Sequence, residues 1–350
     1  MPQPSQIKSE ATIGWDVGGA HLKAALVSAT GEVLDVHQAA CPLWRGIEEL
    51  KRALAEVLEQ LESIPQRHAV TMTGELVDIF PNRRTGVLQI AQFMAEHLKG
   101  DVRFYSARQG LVDGSQVPMW ADYIASANWH ASASLIAKSI KKAVLLDVGS
   151  TTSDLILIKD GLVASQGFND AERMRFDELI YAGVVRTPLM ALCQKVSFNG
   201  HLVNVAAEHF ATTADIYRLT GELIDEDDMV ETADGAGKTE LESARRLARM
   251  IGRDVEDEEI SAWKTLAFEF RKAQLMRLQE ALTSLVDTNQ DMPLLGAGAG
   301  RFLVQALANK MNRSYLDVES LLNTSKSATR CASICLPAVA VASLSLGVEC

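Results

Sequence analysis

The sequence is short of the features that mark several large protein classes. Its five cysteines, Cys41, Cys193, Cys331, Cys335 and Cys350, are odd in number and show no CxxC pairing. That predicts reduced, buried thiols rather than a disulfide framework or a structural zinc site. Basic residues are outnumbered, 34 Lys and Arg against 45 Asp and Glu, which argues against a nucleic-acid partner, since phosphate backbones are held by a basic face. No HExxH spacing occurs among the seven histidines, and there is no GxSxG elbow. A zincin and a hydrolase of the nucleophile-elbow type are therefore disfavoured, and the histidines read as surface or packing residues. The polar start MPQPSQIKSE has no apolar signal core, and the apolar stretch from Pro337 to Leu346 is too short to span a bilayer. The expectation is a soluble, cytoplasmic protein without a membrane partner.

What is present points to a duplicated α/β fold. With 350 residues, 47% of them hydrophobic, the chain can build two domains. "IGWDVGGAHLKAALV" reads as a strand ending at Val17, a glycine turn and a second strand from His21, with a third from Glu32. The same syntax returns in "AVLLDVGSTTSDLILIKDGLVA": a strand to Val148, a turn over Gly149–Thr152, a strand through Ile158 and another beyond Gly161. A repeat of domain size predicts two similar lobes.

Helical spacing of Ile47, Leu50, Leu54, Val57, Leu58 and Leu61 follows the first opening. Further helices are expected at 87–99 and, as one long element, in "WADYIASANWHASASLIAKSI", and 177–285 is expected to be mainly helical. The lobes are drawn at 1–141 and 142–335, with a helical insert at about 200–260. Residues 336–350 form a C-terminal segment packing back across them, its Pro337–Val348 stretch read as a small-residue helix or a buried strand. The run Asp225–Asp228 reads as a solvated acidic turn or helix start rather than a metal site.

The candidate chemistry lies at the strand ends. Asp16 with Gly18 and Gly19, and Asp147 with Gly149, Ser150, Thr151, Thr152 and Asp154, make two loops. Their N–H groups and hydroxyls suit phosphate oxygens, and their carboxylates suit a hydrated magnesium ion. "GAGAGRF" has Arg301 where a dinucleotide fingerprint needs glycine. It reads instead as a strand-to-helix turn, Gly296, Gly298 and Gly300, facing a nucleotide or phosphate. "DGAGKTE" lacks the first glycine of a P-loop, so Thr239 is read as a helix N-cap with Glu242 completing a capping box. "MTGELVDIFPNRRTG" brings Glu75 and Asp78 near Arg83 and Arg84, either a phosphate clamp or a salt-bridge cluster. Arg186 in "YAGVVRTPL" reads as a substrate contact or as a structural partner of Asp177 or Glu178.

Taken together, "GWDVGGAHLKAA", "LLDVGSTTSDLI" and "LLGAGAGRF" resemble the two phosphate motifs and the adenosine motif of the actin/hexokinase superfamily. The resemblance implies two ribonuclease-H-like lobes with a central ligand cleft. With "MTGELVDIFPNRRTGV" and "YAGVVRTPL", the chain is similar to the hydantoinase/oxoprolinase family, and within it to the small synthases of methylofuran biosynthesis linked to one-carbon transfer.

That likeness implies an alkyl transfer from an (aminomethyl)furanmethanol diphosphate to the phenol of a γ-glutamyl-tyramine or tyrosine-based acceptor, with release of pyrophosphate. Asp16, Asp147 and Asp154 would place Mg2+, and Lys23, Arg83, Arg84, Arg186 and the loop residues would hold phosphate. Glu75 would accept the phenolic proton. His21 stands where a smaller polar residue is expected, which leaves the acceptor open. A kinase or ATPase using ATP is the alternative, followed by a non-catalytic sensor with the insert as partner surface. A hydantoin-opening hydrolase is weakest, because the chain is far shorter than enzymes with that activity. Homo-oligomerisation is left open.

Overall fold

A computed structural model describes residues 11–61, 64–286, 292–325 and 328–347, with the backbone alone of Thr329 and Arg330. The first opening is an antiparallel meander of β1 (Thr12–Val17), β2 (His21–Val27) and β3 (Val33–Ala40). After α1 (Ile47–Gln60), β4 (Arg67–Met72) pairs parallel with β1. After α2 (Arg83–His97), β5 (Asp101–Ser106) pairs parallel with β4, and β6 (Gly110–Asp113) forms the edge. The sheet order is β3-β2-β1-β4-β5-β6.

Next come α3 (Val117–Ile124), α4 (Asn128–Ile136), β7 (Lys142–Val148), β8 (Ser153–Lys159), β9 (Leu162–Val163), α5 (Asp170–Arg175) and β10 (Leu179–Ile180). They are followed by β11 (Lys195–Phe198), β12 (His201–Asn204), α6 (Thr213–Thr220), α7 (Glu240–Arg249), α8 (Ile260–Leu285) and β13 (Leu294–Ala297). The chain continues through α9 (Arg301–Lys310), β14 (Tyr315–Asp317), α10 (Thr329–Ala332) and α11 (Leu336–Leu346). The second sheet runs β10-β8-β7-β13-β14, with β9 on β8. In both sheets the first strand of the opening lies between its hairpin partner and a strand that returns through a helix. This is the duplicated ribonuclease-H-like wiring read from the sequence.

Compactness divides the chain into one unit of Met1–Leu145, Ile156–Arg175 and Leu316–Cys350 and another of Leu146–Leu155 and Phe176–Tyr315. The chain passes between the units after Leu145, Leu155, Arg175 and Tyr315, whereas the sequence reading draws its boundaries at 141 and 335. In the first unit, alternation along β1 sends Ile13, Trp15 and Val17 into the core layer shared with α1 and α2. Gly14 and Asp16 therefore face the other side. There α11, rich in alanine and buried from Leu336 to Ser343, lies against β1, β2, β4 and α4. The close seat depends on Gly14, where a Cβ would overlap the Ala338 carbonyl oxygen. The apolar C-terminal stretch is thus a helix, not a strand.

Four readings need correction. The single helix expected after Trp120 is two, α3 and α4, because Ser126 adopts φ 50 and interrupts it. The region 177–285, expected to be mainly helical, has fewer than half of its residues in helices. It contains the β11–β12 hairpin, closed by Asn199 and Gly200 at φ 48 and 78. The acidic run is only partly solvated: Asp228 is buried and bound by Arg218 Nε at 2.6 Å and Nη2 at 2.8 Å, with Lys238 Nζ on its carbonyl. Nor are all thiols buried, since Cys331 is exposed; Cys350 lies outside the described residues. Burial pushes the Cys41 thiol up to about 12, which leaves it inert. Thr239 caps α7 in a capping box with Glu242, as its spacing predicts. Among the described residues no helix is long and apolar enough to cross a membrane.

Candidate functional site

The second unit gathers the second opening and the glycine turn. The amide of Gly149 donates to the Thr152 carbonyl at 2.9 Å and closes the turn. The first opening repeats this bond, Gly18 N–H to His21 O at 2.9 Å. The carbonyls of Gly149, Ser150 and Thr151 accept from the amides of Val184, of Val185 and Arg186, and of Gly183 respectively, at 2.9–3.0 Å. With its acceptors engaged on one side, the half-buried Gly149–Thr152 loop has three hydroxyls and its remaining N–H donors for an anion. Gly183 makes this seat possible, since a Cβ there would stand 2.5 Å from Ser150 O. Arg186 reaches Thr151 Oγ1 at 3.5 Å, and burial lowers its pKa.

β13 ends in the Gly298–Gly300 turn ahead of α9, so GAGAGRF is the strand-to-helix turn expected. Gly298, at φ 79, lies against the end of β7: a Cβ would overlap the Val148 carbonyl and stand 2.5 Å from Asp147 Oδ1. Gly300 N–H donates to Val148 O at 2.8 Å. Gly296 packs under Tyr315, and a Cβ there would meet its hydroxyl at 2.7 Å. Asp147, the hydroxyl loop, Arg186 and the glycine turn thus converge, while Asp154 lies on β8 opposite Leu179.

In the first unit Asp16 is only 5% exposed, at the carboxyl end of β1, in register with Lys23 on β2 and Thr71 on β4. Lys23 Nζ donates to the Ile334 carbonyl at 2.8 Å, which anchors the approach to α11. Gly19 O accepts from Leu43 N–H at 3.0 Å, and Thr73 N–H donates to Val17 O at 2.9 Å. Past β4, a 3₁₀ turn over Gly74–Leu76 carries Glu75. It packs against the first loop, since a Cβ on Gly74 would lie 3.1 Å from Gly18 O. Glu75 is 1% exposed, and its Oε1 accepts from Ser126 Oγ at 2.7 Å. Burial first, and Asp170 in addition, push its pKa up to about 7, against the pull of Ser126, of its own backbone N–H and of Arg83. Gly86 lets α2 close over it, as a Cβ there would be 2.6 Å from Glu75 O.

The arginine pair is already engaged within its unit. Arg83 Nη2 binds Asp170 at 2.7 Å, and Arg84 Nη2 donates to Pro118 O at 2.6 Å. Sequence reasoning missed Asp170 and Ser126; neither stands in a motif, and Ser126 lies 51 positions from the carboxylate it serves. An open groove lined by Thr12, Arg67, His68 and Asp101 sits at the amino ends of β1, β4 and β5, away from Asp16 and Glu75.

A magnesium ion held by a protein cage does not fit: among the described residues no three His, Cys, Asp or Glu side chains gather as a metal site. An ion that keeps most of its water and arrives with phosphate fits Asp147, beside donors that would hold the phosphate itself.

A hydantoinase/oxoprolinase family profile matches residues 66–342. The chain belongs to this family. As a hydantoinase/oxoprolinase protein it has relatives whose names specify a reaction. It is 28% identical over 336 residues, 95% of the chain and 96% of the relative, to the (4-{4-[2-(gamma-L-glutamylamino)ethyl]phenoxymethyl}furan-2-yl)methanamine synthase of Methanocaldococcus jannaschii. Over 174 residues, 50% of the chain and 78% of the relative, it is 29% identical to the synthase of the same name from Methanococcus vannielii. A nucleotide-free acetone carboxylase structure resembles it in fold alone, with TM-score 0.53 and 10% identity over 87% of this chain and 68% of that one.

Proposed function

We propose that the protein is a synthase of methylofuran-type cofactor biosynthesis. It would transfer the furfuryl group of an (aminomethyl)furanmethanol diphosphate to the phenol oxygen of a γ-glutamyl-tyramine or tyrosine-based acceptor. The ether carbon–oxygen bond forms as the carbon–oxygen bond to diphosphate breaks. The electron pair leaves with pyrophosphate, and the phenolic proton passes to Glu75.

The observation that carries this reading is the Gly149–Thr152 loop. Its carbonyls are tied back by the 183–186 segment, so its donors serve an anionic leaving group, where charge grows in the transition state. The relative that matches over nearly its full length, named as a synthase of a phenoxymethylfuran, supports the same choice. Magnesium, when bound with the diphosphate beside Asp147, supplies charge neutralisation to the departing oxygen. Arg186 adds a fixed positive charge beside the loop. Arg83, tied to Asp170, is assigned to the surroundings of Glu75 rather than to phosphate.

Calorimetric titration in the presence of magnesium tests this reading. Pyrophosphate is expected to bind, and a non-hydrolysable ATP analogue is not. Tight binding of the analogue instead would put the kinase or ATPase reading first, with the Gly296–Gly300 turn holding the nucleotide.

A further inference from the structure

We propose that Ser126 is the positioning residue for Glu75: its hydroxyl fixes Oε1 and so presents Oε2 to the phenolic proton of the acceptor. This rests on the synthase reading above. Ser126 occupies the break between α3 and α4 at φ 50, a left-handed conformation that costs a non-glycine residue about 1 kcal/mol. Glycine would meet that backbone requirement with less strain, but only a side chain with a donor reaches the carboxylate, and the serine hydroxyl donates to it at 2.7 Å.

The other oxygen is the unusual one. Glu75 Oε2 is buried without a hydrogen-bond partner among the described residues, and so is Thr71 Oγ1, four positions earlier on β4. An orphaned buried carboxylate oxygen is costly in a purely structural role, so its retention points to a group that is satisfied only when substrate is bound. The two charged groups acting on Glu75 are Arg83, on α2, and Asp170, on α5. They bind each other at 2.7 Å, so the guanidinium is directed to Asp170 and Glu75 is left without a direct cation. A carboxylate in such a setting is basic enough near neutrality to take a proton from a phenol as its oxygen attacks the furfuryl carbon. In that step the carbon–oxygen bond to diphosphate breaks, and the leaving group keeps the pair.

The test uses two variants and two readouts. Ser126→Ala removes the hydroxyl and keeps the strained backbone, whereas Ser126→Gly removes the hydroxyl and relieves the strain. With carboxyl-13C glutamate in the protein, and Glu75→Gln to assign the signal, Glu75 is expected to titrate near pH 7. Both Ser126 variants should raise that midpoint by about one pH unit, the size of one lost hydrogen bond to the ionised form. The acid limb of kcat should move up with it, while KM for the diphosphate stays fixed. An unchanged titration and pH profile in Ser126→Gly would overturn the positioning role. If the titration shifts as expected and even the parent protein makes no ether, the synthase reading fails and the hydrogen bond to Glu75 stands.

Discussion

Asp147→Asn is expected to lower ether formation about a thousandfold while leaving the melting temperature nearly unchanged. Asparagine matches aspartate in shape, and Asp147 stands half-buried at the end of β7 against the Gly298 turn, so the packing survives. Only the charge is lost. The sign of the effect on pyrophosphate binding separates two accounts. If Asp147 acts through a cation that accompanies the diphosphate, the variant weakens binding in magnesium. If the carboxylate meets the phosphate without a cation, removing a like charge strengthens binding. Calorimetry of the variant with and without magnesium reads the difference, and tighter binding together with intact turnover would remove the metal role.

Gly298→Ala should have the largest effect on stability at the site. Its φ of 79 strains any Cβ-bearing residue, and the new methyl would overlap the Val148 carbonyl and crowd Asp147 Oδ1. Left-handed strain and overpacking together are expected to cost about 3 kcal/mol, seen as a lower urea midpoint, with loss of pyrophosphate binding as the turn moves off β7. Gly149→Ala is the control, because a Cβ there meets Thr152 O at an ordinary 3.6 Å and should be tolerated. Equal stability of the two variants would contradict the close approach.

The parts of the fold that were legible in the sequence are those set by local chemistry. The apolar strands β1 and β7, the Asp-Val-Gly strand ends and the Thr239–Glu242 box each depend on residues within a few positions of one another. Asn199-Gly200 carries a hairpin signal as well, between the short strands β11 and β12.

The candidate sites were legible as a loop in the first unit and a loop with a glycine turn in the second, but not as networks. Nothing in "YIASANW" marks Ser126 as a helix break, since neither glycine nor proline is there. Its backbone conformation accompanies a hydrogen bond to Glu75, a contact that no local pattern encodes. Asp170 likewise reaches Arg83 across 87 positions, so of the two readings of the arginine pair, clamp or salt bridge, Arg83 takes part in the second. The burial of Asp228 follows from Arg218 and Lys238, which a reading of the acidic run in isolation leaves out.

The most direct test of the synthase reading is a product assay. The purified protein, with magnesium, is incubated with (aminomethyl)furanmethanol diphosphate and either γ-glutamyl-tyramine or a tyrosine-based acceptor, with ATP present or absent, and products are followed by mass spectrometry. The account predicts the phenoxymethylfuran ether and pyrophosphate in equal amounts, at a rate independent of ATP. ATP consumption with a phosphorylated product and no ether would contradict it.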